Sequence, residues 1–152
     1  MSSFFRIILT IIIMATVCAA KQLEHYRDCG SKPSVLKSID ISPCDKEPCP
    51  LKRGTNATIS IGFNNNQLVS SGSVSIHGII FHIPAPFIIP NPDLCQKKNL
   101  HCPIQPGQTQ TFKLSVFVSP HFPSLRLPIR FELIDQSNTD FVCVEFPSYI
   151  ES

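Results

Sequence analysis

The sequence has no segment that is typical of an α-helix in its central part. Between Pro33 and Pro147, no window of ten residues combines helical periodicity with freedom from proline and glycine. Tryptophan is absent as well. Six or seven short segments instead alternate apolar and polar residues, which is typical of strands with one buried face. The sequence therefore predicts an all-β protein, an antiparallel β-sandwich.

The chain also lacks the motifs that common enzymes and nucleic-acid-binding proteins carry. It has no Gly-x-Ser-x-Gly elbow, no glycine-rich phosphate loop and no pair of carboxylates in one setting. Lys and Arg number 13 against 11 Asp and Glu, a balance that gives no cationic footprint for nucleic acid. We therefore expect no catalysis, no cofactor and no nucleic-acid partner.

The N-terminus has the pattern of a secretory signal peptide. Arg6 supplies the positive charge, residues 7–17 the apolar region, and Cys18-Ala-Ala20 a small-residue cleavage site. The apolar run is too short for a membrane span, and no second candidate follows it. We predict a signal peptide over 1–20 and one secreted domain over 21–152, polar and turn-rich at first and ordered from about residue 28.

Six cysteines remain once Cys18 leaves with the signal peptide, and an even number in a small secreted domain predicts disulfides. Among the pairings that the sequence leaves open, the spacing favours two local loops, Cys44–Cys49 and Cys95–Cys102, which leaves Cys29 with Cys143. The alternative is a metal site with His101 beside Cys102. The spacings do not match zinc patterns and the compartment is oxidising, so we expect no metal.

The most apolar stretch outside the N-terminus, residues 77–95, is interrupted by prolines at positions 84, 86, 90 and 92. Proline fixes φ and lacks a backbone donor, which excludes a helix or a central strand there. We predict a strand ending near Ile83, followed by a stiff apolar loop. Together with residues 119–123, the loop 84–92 either borders an apolar pocket at one end of the sandwich or lies as a lid over the core.

Asn56-Ala57-Thr58 is a sequon for N-glycosylation. Because a glycan is bulky and hydrated, the sequon predicts that this edge of the second long strand lies in solvent. We predict that Asn56 is glycosylated.

A set of short motifs follows in a fixed order: Asp-Cys-Gly-Ser at 28–31, Ser-Pro-Cys-x4-Cys at 42–49, Arg-Gly at 53–54, His-Gly-Ile at 77–79, Pro-x-Pro-Phe-x-Ile-Pro-x-Pro-Asp at 84–93, Cys-Pro-Ile-Gln at 102–105 and Phe-Pro-Ser-Leu at 122–125. With these motifs the chain resembles the ML-domain lipid-recognition family, and within it the small soluble sterol carriers. The resemblance covers about residues 28–150, essentially the whole predicted mature chain.

The resemblance implies an immunoglobulin-like β-sandwich of two antiparallel sheets with an apolar lipid pocket between them. The sterol-contacting positions of the family fall on Phe87, Val118 and Phe122, and Phe122 replaces the usual tyrosine. The commonest glycan site of the family aligns near Ser60 rather than Asn56. Its membrane-facing positions fall on His77, Gly78, Ile79 and His82. The family pattern has a glycine at the position of His82.

From the residues and the resemblance together, we expect a secreted monomer that carries a sterol or another apolar lipid. Its partners would be a membrane surface in transient contact and a membrane sterol receptor, and its address the extracellular fluid or the lysosomal lumen. The alternatives are a carrier of fatty acids or semiochemicals, an innate-immune lipid sensor, and an immunoglobulin-like adhesion module with a filled core.

Overall fold

The computed structural model describes residues 20–152, so the predicted signal peptide, except for Ala20, lies outside the described residues. This part of the chain forms strands and no helix. Within it, no helical segment has the length and apolar character needed to cross a membrane. The strands are β1 (Lys21–Gln22), β2 (Arg27–Asp28), β3 (Val35–Ser42), β4 (Cys49–Lys52), β5 (Asn56–Asn64), β6 (Gly72–Ile80), β7 (Ile83–Pro86), β8 (Thr109–Phe117), β9 (Arg126–Asp135) and β10 (Asp140–Glu151).

The strands form two sheets, as the sequence predicts. The first sheet has the order β1-β3-β5-β8, and the second has the order β2-β10-β9-β6-β7. All of these neighbours are antiparallel, whereas β4 adds to the second sheet as a parallel partner of β10. The immunoglobulin-like sandwich is therefore confirmed, with one parallel pair that the sequence did not indicate.

Alternating side chains put one face of each long strand into the core. In β9, Leu127, Ile129, Phe131 and Leu133 are buried, because every second side chain of a strand points to the same face. At the end of the sandwich farthest from the β6–β7 turn, aromatic pairs fill the space between the sheets. The rings of Phe63 and Phe141 meet edge to face with centroids 5.7 Å apart. The remaining core space therefore lies toward the other end.

The N-terminal segment closes one side of the sandwich. It runs from β1, at the edge of the first sheet, to β2, at the edge of the second. Between them Leu23 is only 4% exposed, and its amide donates to the carbonyl of Ile39 at 2.7 Å. The expectation that order begins near residue 28 was wrong, because two short strand pairings and one buried leucine already fix residues 21–28.

Three disulfides join Cys29 to Cys143, Cys44 to Cys49 and Cys95 to Cys102. This is the pairing that the spacing favours. The first ties the segment after β2 to β10, while the other two close short loops. His101 therefore has no thiolate beside it for a metal site.

The proline-rich stretch is organised differently from the prediction. Strand β6 ends at Ile80 rather than near Ile83, and Phe81 and His82 turn the chain with φ of 49° and 67°. The chain then returns as β7, which pairs with β6. Pro84 and Pro86 are compatible with this pairing because β7 is the edge strand of its sheet, where a missing donor leaves no ladder bond unmade.

Candidate functional site

A cavity of about 50 Å³ lies between the two sheets. Its surface is entirely apolar, and no charged residue lines it. Strands of both sheets contribute, so a molecule placed here would lie between the layers of the sandwich. The lining residues are Ile41, Leu51, Ala57, Thr58, Ile59, Ile76, Phe87, Val116, Val118, Ile129, Phe131 and Phe146.

Two of the three predicted sterol-contacting residues, Phe87 and Val118, line this cavity. Val118 is 2% exposed and is held by two backbone hydrogen bonds. Its amide donates to the carbonyl of Thr55 at 2.9 Å, and its carbonyl accepts from the amide of Gly54 at 2.8 Å. The Val118 side chain is therefore a fixed part of the wall.

A larger groove, with a volume of about 580 Å³, lies outside the cavity, between the segment after β7 and the edge strand β8. Phe87 and Val116 line both spaces, so they form the partition between groove and cavity. Apolar side chains such as Ile88, Ile89 and Phe117 dominate the groove, and a polar rim surrounds them. The groove is thus an open approach to the cavity from one side of the sandwich.

The third predicted residue, Phe122, lies at the inner end of this groove, against Phe87. The two rings meet edge to face, with centroids 4.9 Å apart and an interplanar angle of 68°. The Phe87 amide donates to the carbonyl of Ile76 at 2.9 Å, and the Phe122 carbonyl accepts from Nη1 of Arg53 at 3.3 Å. The structure therefore brings Phe87, Val118 and Phe122 to one place, although it does not test which ligand they contact.

One lysine in the groove wall is engaged by its own loop. Lys98 is 3% exposed, and its Nζ donates to the carbonyl of Gln96 at 3.0 Å and to that of Asp93. Burial lowers the pKa of this ammonium, while the nearby Asp93 carboxylate opposes the change. Because its donors are directed at loop carbonyls, Lys98 stabilises the 95–102 loop.

Gly78, which the resemblance places among the membrane-facing residues, is buried. It borders a second apolar cavity of about 50 Å³, which Phe87 and Phe122 also line. A Cβ at position 78 would lie 3.2 Å from Cε2 of Phe87 and 2.6 Å from Cδ1 of Leu127. The absence of a side chain there leaves room for the Phe87 ring, so Gly78 belongs to the interior of the sandwich.

His77 is also unlike an exposed surface residue. Its Nδ1 lies 3.1 Å from Oε2 of Glu132 and 3.4 Å from Oγ of Ser75, and its side chain is 25% exposed. These contacts fix the imidazole on the outer face of the second sheet. Ile79 is half-buried, whereas His82 in the turn is exposed. The four predicted residues therefore do not form one exposed patch.

The exposed apolar side chains of this region lie at the turn itself. Phe81 is 92% exposed and Ile83 is 69% exposed. Sequence reasoning did not single out Ile83, because it placed the end of a strand there and not a turn. We call Phe81, His82 and Ile83 the hairpin tip. It lies at the same end of the sandwich as Phe122.

The outer face of the second sheet carries acidic side chains that lie close to a cysteine. One ligand atom from each of Glu132, Asp140 and Cys143 falls within 4.8 Å of the others. The sulfur of Cys143 is bonded to Cys29, which leaves two carboxylates. Burial raises the pKa of Asp140, and the Glu132 charge adds to the effect while Arg130 opposes it. The surroundings therefore disfavour the ionised form of Asp140. They do not provide a set of metal ligands.

The fold and the site define a class: a β-sandwich with an apolar cavity between its sheets that is approached from one open side. The family model of the ML domain matches residues 24–150. The chain therefore belongs to the ML-domain family.

Individual relatives agree with this assignment. The mouse protein named NPC intracellular cholesterol transporter 2 is 36% identical over 145 residues, which cover 94% of this chain and 96% of the relative. The ecdysteroid-regulated 16 kDa protein of Manduca sexta is 33% identical over 141 residues, covering 91% and 97%. The crystal structure of a Niemann–Pick type C2 protein from Japanese carpenter ant has a TM-score of 0.78 and 27% sequence identity, covering 84% of this chain and 99% of that one.

Proposed function

We propose that this protein binds a sterol between its two sheets and transfers it to membranes or to a receptor, without catalysing a reaction. The observation that carries the proposal is the cavity lined by apolar side chains from both sheets, with Phe87 in its wall and Phe122 packed against Phe87 from the groove. The relatives that are named as cholesterol transporters support a sterol as the cargo.

Binding requires the cavity to expand, because a volume of about 50 Å³ is far below the ~300 Å³ at which ordinary ligand pockets begin. The two strands that border the groove belong to different sheets: β7 pairs with β6, and β8 pairs with β5. Their edges can therefore separate without breaking either of those pairings. Separation of the Phe87 and Phe122 rings costs about 1 kcal/mol. Each ~100 Å² of apolar lipid surface buried returns about 2.5 kcal/mol, so an apolar cargo drives the opening.

The polarity of the wall favours a neutral cargo. The cavity surface offers no polar group, so a carboxylate there would lose its hydration without a charged partner. A sterol has one hydroxyl group and satisfies this condition. A fatty acid would have to leave its head group in the groove.

We further propose that the hairpin tip contacts the membrane during transfer. Exposed apolar residues such as Phe81 and Ile83 insert shallowly into the interface of a bilayer. Replacing both by serine should slow transfer to vesicles while the equilibrium affinity for sterol stays unchanged. Leu68→Ser, which removes another exposed apolar side chain at the opposite end of the sandwich, is the control. Equal transfer rates for all three proteins would rule out this role of the tip.

We infer that the protein acts after secretion, as a monomeric domain of residues 21–152 from which residues 1–20 have been removed. Three disulfides fit the oxidising extracellular or lysosomal compartment. Sequencing the N-terminus of the secreted protein and measuring its mass in solution test this inference directly.

The decisive experiment fills the cavity from within. Val118→Phe should abolish binding of a fluorescent sterol while the circular-dichroism spectrum and secretion stay unchanged, because the added ring occupies the space that the cargo needs. Val35→Phe adds the same ring at the half-exposed start of β3 and should bind normally. Normal binding by Val118→Phe would contradict the proposal. A purified protein that carries no lipid in native mass spectrometry and takes up no sterol would favour an adhesion module instead.

A further inference from the structure

Asn56 and Phe117 are directly opposite each other in the pairing of β5 with β8. Opposite side chains of an antiparallel pair have Cβ atoms about 5 Å apart. Asn56 is exposed, and Phe117 is 56% exposed although it is a large apolar side chain. The first residue of the sequon therefore lies beside an uncovered aromatic ring.

Both residues also line the groove that leads to the cavity. Phe122, which packs against Phe87 in the cavity wall, and Ile88, which is 89% exposed, also line this groove. The mouth of the groove is thus bordered by solvent-exposed apolar side chains, and Asn56, the glycan acceptor, lies at its edge. In the resemblance, the commonest glycan site falls near Ser60, which does not line this groove.

We propose that Asn56 carries an N-linked glycan whose first sugar lies against the Phe117 ring, and that this glycan partly covers the mouth of the groove. One face of a pyranose is made of C–H groups, so it can cover an exposed aromatic face while its hydroxyl groups stay hydrated. The glycan then replaces water over Phe117 and crowds the path between solvent and Phe122. The effect on lipid exchange rests on the proposed function, whereas the glycan contact with Phe117 does not.

Two consequences follow from this position. A glycan at the mouth hinders entry and exit alike, so it slows both rates of exchange and leaves the equilibrium affinity unchanged. Its contact with Phe117 exists only in the folded protein, so it raises the thermal midpoint of unfolding.

The experiment uses the full chain secreted from eukaryotic cells. Intact mass and peptide mapping establish whether Asn56 is modified. Three forms are then compared: the protein with its full glycan, the protein trimmed by an endoglycosidase to a single sugar, and Asn56→Gln. We expect fluorescent sterol to dissociate several-fold more slowly from the full glycoform than from the other two, with equal Kd. The full and trimmed forms should share a Tm above that of Asn56→Gln, and Phe117→Ala should remove this difference.

A glycan moved to another place is the control. Asp140→Ser turns Asn138-Thr139-Asp140 into a sequon in the exposed turn between β9 and β10, at the opposite end of the sandwich. In the Asn56→Gln background this variant should carry a glycan and yet exchange sterol as fast as Asn56→Gln alone. An unmodified Asn56 in the secreted protein, or equal exchange rates for the full and trimmed forms, would overturn the proposal. If no form binds sterol, the proposed function fails, while occupancy and the Tm differences still decide the glycan contact.

Discussion

Phe87 and Phe122 join the two sheets at the open side of the sandwich: their ring centroids are 4.9 Å apart, yet Phe87 follows β7 of the second sheet and Phe122 follows β8 of the first. The strands that precede these two residues do not pair with each other: β7 pairs with β6 and β8 pairs with β5. The aromatic pair therefore bridges the two sheets beside the partition between cavity and groove.

If the Phe87–Phe122 pair closes the path from cavity to groove, removing one ring should raise the dissociation rate of the cargo while the protein stays folded. We expect Phe122→Ala to raise the dissociation rate of a fluorescent sterol and to lower the free energy of unfolding by about 1–2 kcal/mol, from the lost burial and ring contact. Phe122→Tyr, which restores the residue usual in the family, keeps the ring and should retain slow release. Stopped-flow displacement and urea titration measure the two effects. A release rate that is the same in all three proteins would contradict the closure.

Gly78 should matter for the interior and not for the membrane. Gly78→Ala places a methyl group against Leu127 and Phe87, and overpacking of this kind costs about 1–3 kcal/mol. The variant should be less stable and should bind sterol with altered affinity, because the Phe87 ring must shift. Adding Leu127→Val makes room for the methyl group and should restore much of the lost stability. A variant with normal affinity that is slow only in transfer to vesicles would instead return Gly78 to the membrane-facing surface.

The N-terminal segment is held to the Cys44–Cys49 loop by one carboxylate. Burial alone would raise the pKa of Glu47, but the amides of Glu24 and His25 donate to it at 2.7 and 2.9 Å, and with the His25 ring they hold its pKa below the usual value. A depressed folded-state pKa contributes stability above the unfolded-state pKa, and that stability is lost as the pH falls through the folded-state pKa.

We therefore expect Glu47→Gln to lower the free energy of unfolding at pH 7 by about 1–2 kcal/mol. The difference from the wild type should shrink as the pH falls below about 4.3, the ordinary pKa of glutamate. Urea titrations at several pH values measure it. A difference that stays constant down to pH 3 would show that the charge of Glu47 is not the cause.

The pKa of Asp140 is shifted in the opposite direction from that of Glu47. Because burial and the Glu132 charge raise its pKa, ionised Asp140 weakens the fold at neutral pH, and this penalty disappears as the pH falls through the raised pKa. Asp140→Asn should therefore stabilise the protein modestly at pH 7 and lose its advantage in acid. Glu132→Gln should stabilise less, since it also removes the negative charge that faces His77. Thermal melts at pH 7 and pH 4 test this, and destabilisation by Asp140→Asn at pH 7 would contradict it.

The long strands could be predicted from the sequence because one of their faces is buried. Alternation in residues 35–42 gives β3 with the bounds that the structure has, and β9 follows from the same pattern. Strands β1 and β2 have two residues each, which is too few to show an alternation of apolar and polar side chains. β4 is held by a parallel partner about a hundred positions away in the sequence, and no local pattern encodes such a contact.

The site was predictable only in part, and for a different reason. The proline-broken loops that carry Phe87 and Phe122 were grouped from the sequence alone, whereas the resemblance added Val118 and a contact with sterol for all three. The resemblance also placed Gly78 on the surface, since a position in a motif does not say which face of the strand it occupies. The exposure of Ile83 depends on where β6 turns, and two residues with positive φ at the turn cannot be read from hydropathy.

The prolines of β7 have a consequence for how the protein behaves in a crowded, concentrated fluid. The amide of Phe87 points toward β6, where it donates to Ile76, so the nitrogens of Pro84 and Pro86 point away from β6, toward the free edge. Neither nitrogen carries a hydrogen. This edge therefore offers almost no donors to the strand of another molecule, and the addition of a further chain to the sheet, the first step of amyloid-like growth, is suppressed. A carrier that must expose apolar surface near a sheet edge is thereby kept from polymerising through that edge.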